Sequence, residues 1–243
     1  VQKSKGNSRA DKPRVVPLGD KAVLVEFADS LDLGVNAEIQ RVAKAVELRR
    51  PPWIRDLVPA LGSLALHVDR EKMDTAGEML AAASALIAEC LSCGLPDLDQ
   101  VTRTVELPVC YEGELAPDIQ EVAERCGLTV AEVARRHAGS SHRVLMVGFV
   151  PGHPYIGGLD PALCVPRRAT PRQRVPTGSI AVANTQTVIY PFVTPGGWSI
   201  IGRTPRRIFD VHQSPPSLMS PGDRIRFIPI TREEFELRLA CGT

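Results

Sequence analysis

From His142 onward the sequence carries almost no helical period until its last dozen residues. Short β-rich runs take over, namely RVLMVGFV, GSIAVAN, TVIYPFV, WSIIGRT and RIRFIPI, separated by connectors full of proline and glycine. Proline lacks the amide hydrogen a ladder needs and glycine weakens a strand interior, so each connector must turn. Many short strands between such turns are the pattern of an all-β barrel. SPGDRIRFIPI reads as a turn into a closing strand, and TREEFELRLA as a terminal helix. Ahead of these runs, VTRTVELPVCY is a strand and PDIQEVAERCG a helix, with Pro117 near its start and Gly127 as its stop. TVAEVARRHAG opens with the capping box Thr129-x-x-Glu132.

The first hundred residues follow a different grammar. VVPLGDKAVLVEFA holds two β-rich runs about a Leu-Gly-Asp turn, and the next segment places Val35, Ile39, Val42, Ala43 and Val46 on one helical face before Pro51 and Pro52. A strand pair is expected in WIRDLVPALGSLALHVD, with Leu64, Leu66 and Val68 alternating. A second helix is expected through EKMDTAGEMLAAASALIAECLSC, stopped at Gly94-Leu95-Pro96. The expected architecture is an α+β sandwich domain over 14–96 and an all-β barrel domain with a few helices over 97–243, joined by a polar linker around Pro96 to Gln100. At 243 residues, 44% of them hydrophobic, the chain can bury one large core or two modest ones. Val1 to Pro13 are set aside as a tail.

A formal net charge of +1 argues against nucleic acid or anionic lipid as partner, so any electrostatic function is local. No apolar run approaches the roughly 18 residues of a membrane span, and the start lacks the apolar core of a signal peptide, so a cytoplasmic protein is expected. The six cysteines include a lone CxxC at Cys90 and Cys93, and the five histidines form neither HxH nor HExxH, so no metal site is expected.

GFVPGHPYIGGLDP, from Gly148 to Pro161, should leave the sheet as a shaped loop. It is either a ligand loop presenting backbone amides beside His153 and Tyr155, or a tight barrel corner in which Phe149 and Tyr155 are packing. Similar loops recur. PRRATPRQRVPTGS carries Arg167, Arg168, Arg172 and Arg174 within eight residues, and NTQTVIYPFVTPGGWSIIGRTP supplies Gln186, Thr187, Tyr190, Thr194, Trp198, Arg203 and Thr204. Together they read as walls of one polar cleft, and arginine's planar fork suits a carboxylate or phosphate ligand.

On these same segments, with SPGDRIRFIPI, the chain resembles the family of 5-oxoprolinase B-type subunits. That family is also called KipI or allophanate hydrolase subunit 1, and it corresponds to the C and D subdomains of the carboxyltransferase part of urea amidolyase. PLGDKAVLVEFA, VPALGSLALHVD and ELPVCYEGELAPDIQEVA match it in kind and order. The resemblance implies a small α/β domain followed by a cyclophilin-like barrel. It implies a sister subunit (the C-type subunit of 5-oxoprolinase, or allophanate hydrolase subunit 2) in a hetero-oligomer and, in the 5-oxoprolinase assignment, a third, A-type component. The complex would use ATP to open 5-oxoproline into glutamate. No GxxxxGK[ST] is present, so any ATP held by this chain would not sit in a P-loop.

Under that reading His153, Tyr190 and Arg203 are candidate catalytic residues, and Arg172, Arg174, Gln186 and Thr187 candidate substrate- or anion-binding residues. Arg203 and Arg174 would hold the substrate's negative charge, and Gln186 and Tyr190 would orient its amide or carboxylate. His153 is either a proton carrier or a loop residue without a role. The chain departs from the family's pattern in reading GHPY for GFPY and QTVIYP for QTGIYP, placing His153 and Val188 where other residues are usual. Two alternatives stay open: a component of allophanate hydrolase or urea carboxylase, and a KipI-like inhibitor that grips a sensor histidine kinase.

Overall fold

The computed structural model describes residues 12–97 and 102–241. Most of the expected tail and linker lies outside these residues. Two compact units are present, Val1–Val101 and Thr102–Thr243.

In the first unit Arg14–Pro17 (β1), Ala22–Glu26 (β2), Leu33–Arg49 (α1), Ile54–Pro59 (β3), Ser63–Val68 (β4) and Ala76–Ser92 (α2) follow in order. The strands form an antiparallel sheet β1-β2-β4-β3. Its register pairs Val23 with Leu66 and Val25 with Leu64, which sets one apolar row on one face. Val35, Ile39, Val42 and Val46 of α1 and Leu86, Ile87 and Cys90 of α2 pack on that row, so both helices cover the same face. Full burial of each large apolar side chain stabilises by about 1.5–3 kcal/mol. The Asp32 side chain caps α1 by accepting from Val35 N at 2.9 Å. α2 begins later than the sequence suggests, because Thr75 and Glu78 form a reciprocal capping box that leaves Glu71 to Asp74 outside the helix.

The second unit contains Thr104–Val109 (β5), Ile119–Cys126 (α3), Val130–Gly139 (α4), His142–Val147 (β6), Pro154–Gly157 (β7), Arg172–Val175 (β8), Ser179–Ala183 (β9), Gln186–Ile189 (β10), Thr194–Gly196 (β11), Ser199–Arg203 (β12), Arg224–Pro229 (β13) and Arg232–Cys241 (α5). Seven strands make one sheet, β12-β9-β10-β7-β6-β13-β5, in which only β13 and β5 run parallel. Cys110, just past β5, exchanges two backbone hydrogen bonds of 2.9 Å with Arg203 at the end of β12. The sheet thereby curls into a nearly closed barrel. All seven strands contribute to its enclosed face, among them Leu107, Val144, Ile156, Ile180, Ile189, Ile201 and Phe227, and α3 and α4 add Val122 and Val133.

The segment expected to leave the sheet after Val147 does so only briefly. It turns through Gly148 to His153 and returns as β7, in the middle of the sheet between β6 and β10. Pro154 is tolerated because it is the first residue of the strand.

Candidate functional site

The outer face of β7, β9, β10 and β12 carries Tyr155, Ala181, Ala183, Val188, Tyr190, Trp198 and Ile200, with Val175 of β8 packed on them. The β8–β11 ribbon lies against this face: a Cβ built on Gly196 would come within 2.3 Å of the Tyr190 hydroxyl. Tyr190 and Trp198 are consequently only 2% and 6% exposed, and Arg167 caps the indole at 5.4 Å from its centroid. The space expected to be a polar cleft is filled by aromatic packing.

His153 is buried at the edge of this cluster, its ring 5.5 Å from Phe149, 5.1 Å from Tyr155 and 5.2 Å from Tyr190. Among the described residues its Nδ1 has no hydrogen-bond partner, nor do Gln186 Nε2 and Thr194 Oγ1. An unpaired buried polar atom costs about 1–3 kcal/mol, so His153 Nδ1 is expensive to hold in this aromatic setting. Phe149 adds backbone strain, since a non-glycine residue at φ 73° is held in the left-handed region while its ring stays exposed.

The hydrogen-bond register decides which candidates meet. Tyr190 N donates to Ser179 O, Gly148 N donates to His153 O, and Arg203 pairs with Ser179. Arg203, Ser179, Tyr190 and His153 therefore lie along one row at one end of the barrel, with successive strands about 4.8 Å apart. Gln186 faces the same side but stands four residues down β10 from Tyr190, about 13 Å away. Thr187 points the opposite way. It lies in the enclosed face, where its hydroxyl is 3.2 Å from His137 Nε2, so it cannot line the outer site.

The arginines divide in the same manner. Arg172 is spent on Asp118 through two hydrogen bonds, Nη2 to Oδ1 at 2.6 Å and Nη1 to Oδ2 at 2.8 Å. Arg168 joins it at 3.1 Å and also reaches Glu121. Asp118 is buried and accepts in addition from Ile200 N at 2.7 Å, so this cluster ties the start of α3 to β12 and the arginine-rich segment. Arg172, expected to bind an anion, is thus engaged with a carboxylate of the chain itself. Arg174 is exposed on β8. Arg203 keeps its Nε on Thr177 O at 2.8 Å, and burial lowers its pKa.

Electrostatics restrict what the row can do. Burial lowers the His153 pKa to about 4 and raises that of Tyr190 to about 12. Both are neutral at physiological pH, while the permanent charge of Arg203 lies farther along the row, two strands from Tyr190 and three from His153. Neutral groups of this kind can offer or accept hydrogen bonds but carry no charge of their own at that pH. Val188 is fully buried opposite Tyr155 and fills the cluster.

Sequence reasoning overlooked the enclosed polar chain, in which Tyr111 Oη lies 2.8 Å from His137 Nδ1 and His142 Nε2 lies 2.7 Å from His137 O. No local spacing marks these residues, which meet only when the barrel closes. It also passed over the loop after β12, although Pro-Arg-Arg occurs there at 205–207 as it does at 166–168. Phe209 of that loop stacks on Phe192 at 5.6 Å and abuts Gly152, the neighbour of His153.

Residues 13–219 match the model of the carboxyltransferase domain, subdomain C and D. The chain is 33% identical to the B-type subunit of 5-oxoprolinase from Bacillus subtilis over 91% of its own length and 95% of that protein. Among solved structures, TTHA0988 superposes with a TM-score of 0.71 at 36% identity, covering 87% of this chain and 40% of that one. The urea carboxylase of Kluyveromyces lactis superposes with a TM-score of 0.72 at 21% identity, over 98% of this chain and 24% of that one, which supports the fold alone. The family match runs across both units and through every segment that builds the outer site, and the chain belongs to the carboxyltransferase subdomain C and D family.

Proposed function

We propose that this chain is the B-type subunit of an ATP-dependent 5-oxoprolinase, acting with a sister subunit on a small cyclic amide that carries a carboxylate. The observation that carries the reading is the end-to-end similarity to a protein named as the B-type subunit of 5-oxoprolinase, 95% of which is matched. The chemistry of the barrel end agrees with it. Opening a lactam develops negative charge on the carbonyl oxygen, and the permanent charge of Arg203 at the barrel end suits that charge. Arg174, exposed on the ribbon, remains in this reading as a contact for the substrate carboxylate or the partner. ATP is used by the assembly, and the sister subunit completes the site. The cytoplasmic assignment and the domain boundary near residue 97 belong to the same proposal. Among the described residues no helix is long and apolar enough to cross a membrane.

The test is ATP hydrolysis by this chain reconstituted with its sister subunit and the third component. We expect stimulation by 5-oxoproline that disappears when this chain is omitted or carries Arg203→Ala, with assembly intact. An assembled complex indifferent to 5-oxoproline would refute the reading and turn attention to urea-derived substrates. The similarity of 28% over 58% of this chain to a putative urea carboxylase of Emericella nidulans supports that second choice.

A further inference from the structure

The loop 204–218 forms a half-open cavity of about 320 Å³ whose walls include the exposed Arg206, Arg207 and Gln213 together with Phe209 and Asp210. The loop is built rather than slack. Asp210 N donates to Pro216 O at 2.8 Å, Leu218 N to Ile208 O at 2.8 Å and Gln213 N to Asp210 O at 3.1 Å, and Phe209 forms a β-bridge with Ser217. Arg206 is fixed at its backbone, where its N donates to Thr204 Oγ1 at 3.2 Å.

The charges at the cavity do not cancel. Arg207 Nη1 donates to Asp210 Oδ2 at 2.9 Å, and Asp210 Oδ1 accepts from His212 N at 3.0 Å. That amide and Arg207 hold the Asp210 carboxyl below its ordinary range, so it stays ionised and neutralises Arg207. Arg206 has no side-chain partner among the described residues, which leaves one uncompensated positive charge. Its complement is a single negative charge, and a planar carboxylate suits the guanidinium fork. A polyphosphate would bring several negative charges to one free arginine, into a volume at the small end of ligand sites, which run from about 300 to 1,000 Å³. Phe209 offers an apolar wall for the ligand's body, and Gln213 an amide that can donate or accept.

We propose that this cavity is a binding site for a small monocarboxylate with a flat body, its carboxylate on Arg206 and its body against Phe209. The site communicates with the barrel end through that same wall. A Cβ added to Gly152, which has φ 75°, would come within 2.7 Å of the Phe209 Cβ, so Phe209 packs directly on the turn that carries His153. A role in turnover rests on the 5-oxoprolinase reading, whereas binding does not.

The experiment titrates the full chain by calorimetry with benzoate, with uncharged benzamide and with 5-oxoproline. Benzoate should saturate one site, and benzamide should bind at least tenfold more weakly. Arg206→Gln should weaken benzoate at least tenfold, while Arg238→Gln on the exposed side of α5 changes it less than twofold. Absence of saturable benzoate binding, equal affinity for benzamide, or an unchanged affinity in Arg206→Gln would overturn the proposal. The benzamide comparison needs no variant and therefore stands even if Arg206→Gln folds poorly. Benzoate binding supports the cavity whether or not 5-oxoproline binds, and the 5-oxoprolinase reading is decided separately by the reconstituted complex; 5-oxoproline that competes with benzoate would assign the cavity to that substrate.

Discussion

Replacing His153 by phenylalanine should change how stability depends on pH. The folded-state pKa of His153 is about 4, against about 6.5 for an unfolded histidine. Between those values the unfolded chain binds the proton more tightly than the folded one. The neutral buried ring therefore contributes its full stability above pH 6.5, and that contribution is lost as pH falls toward 4. The difference in pKa corresponds to about 3 kcal/mol, of which about 2.5 kcal/mol should be gone by pH 4.5. His137 and His142 in the same unit are also lowered by burial, so both proteins will lose stability on acidification. The variant should lose less. Urea unfolding can follow this in a Trp53→Phe background, because the chain has two tryptophans and Trp198, packed on Tyr155, then reports on the barrel alone. At pH 7.5 His153→Phe should be at least as stable as the parent, since it deletes a buried Nδ1 without a partner. Parallel pH curves for parent and variant would show that the imidazole is not desolvated as described.

Asp118→Ala should destabilise the barrel by about 3 kcal/mol, at the low end of the range for breaking a buried ion pair because both arginines are partly exposed. For a unit of this size the melting temperature should fall by roughly 10 °C. A fall of under 2 °C in calorimetry would mean that Asp118 does not organise the arginine segment. Gly196→Ala should cost about 1–3 kcal/mol and shift Trp198 emission, because the added methyl meets the Tyr190 hydroxyl. Unchanged emission and stability would show that the ribbon does not pin that ring.

Much of the architecture was legible wherever a rule is local. The capping box at Thr129 and Glu132, the left-handed stop at Gly127 and the Leu64-Leu66-Val68 alternation each act within a few residues, and each stands in the structure as read. The cyclophilin-like barrel was legible from the punctuated β runs and the family resemblance. The site was less so. Four arginines close in sequence suggested one anion cleft, but Asp118 lies about fifty residues from its two partners and nothing local announces that pairing. Thr187 could have been placed better, because the two-residue period of a strand already puts Gln186, Val188 and Tyr190 on one face and Thr187 on the other. Strand β7 was hidden because Pro154 marks both a break and a permissible first residue.

The parallel pairing of β5 with β13 has a consequence for how the barrel comes into being. β5 ends at Val109 and β13 begins at Arg224, so the first and last strands of the unit must lie side by side although the chain between them builds everything else. At about 5–20 residues per second, a ribosome needs roughly 6 to 20 s to make the intervening segment. Throughout that interval the nascent β5 has no β13 to bond, and β6, once made, presents an open edge. Such edges invite pairing with other chains, and contacts this distant in sequence form slowly. The period of greatest exposure is therefore set during translation, and a holding chaperone or prompt emergence of β13 should govern the yield of folded protein more than the stability of the finished barrel does.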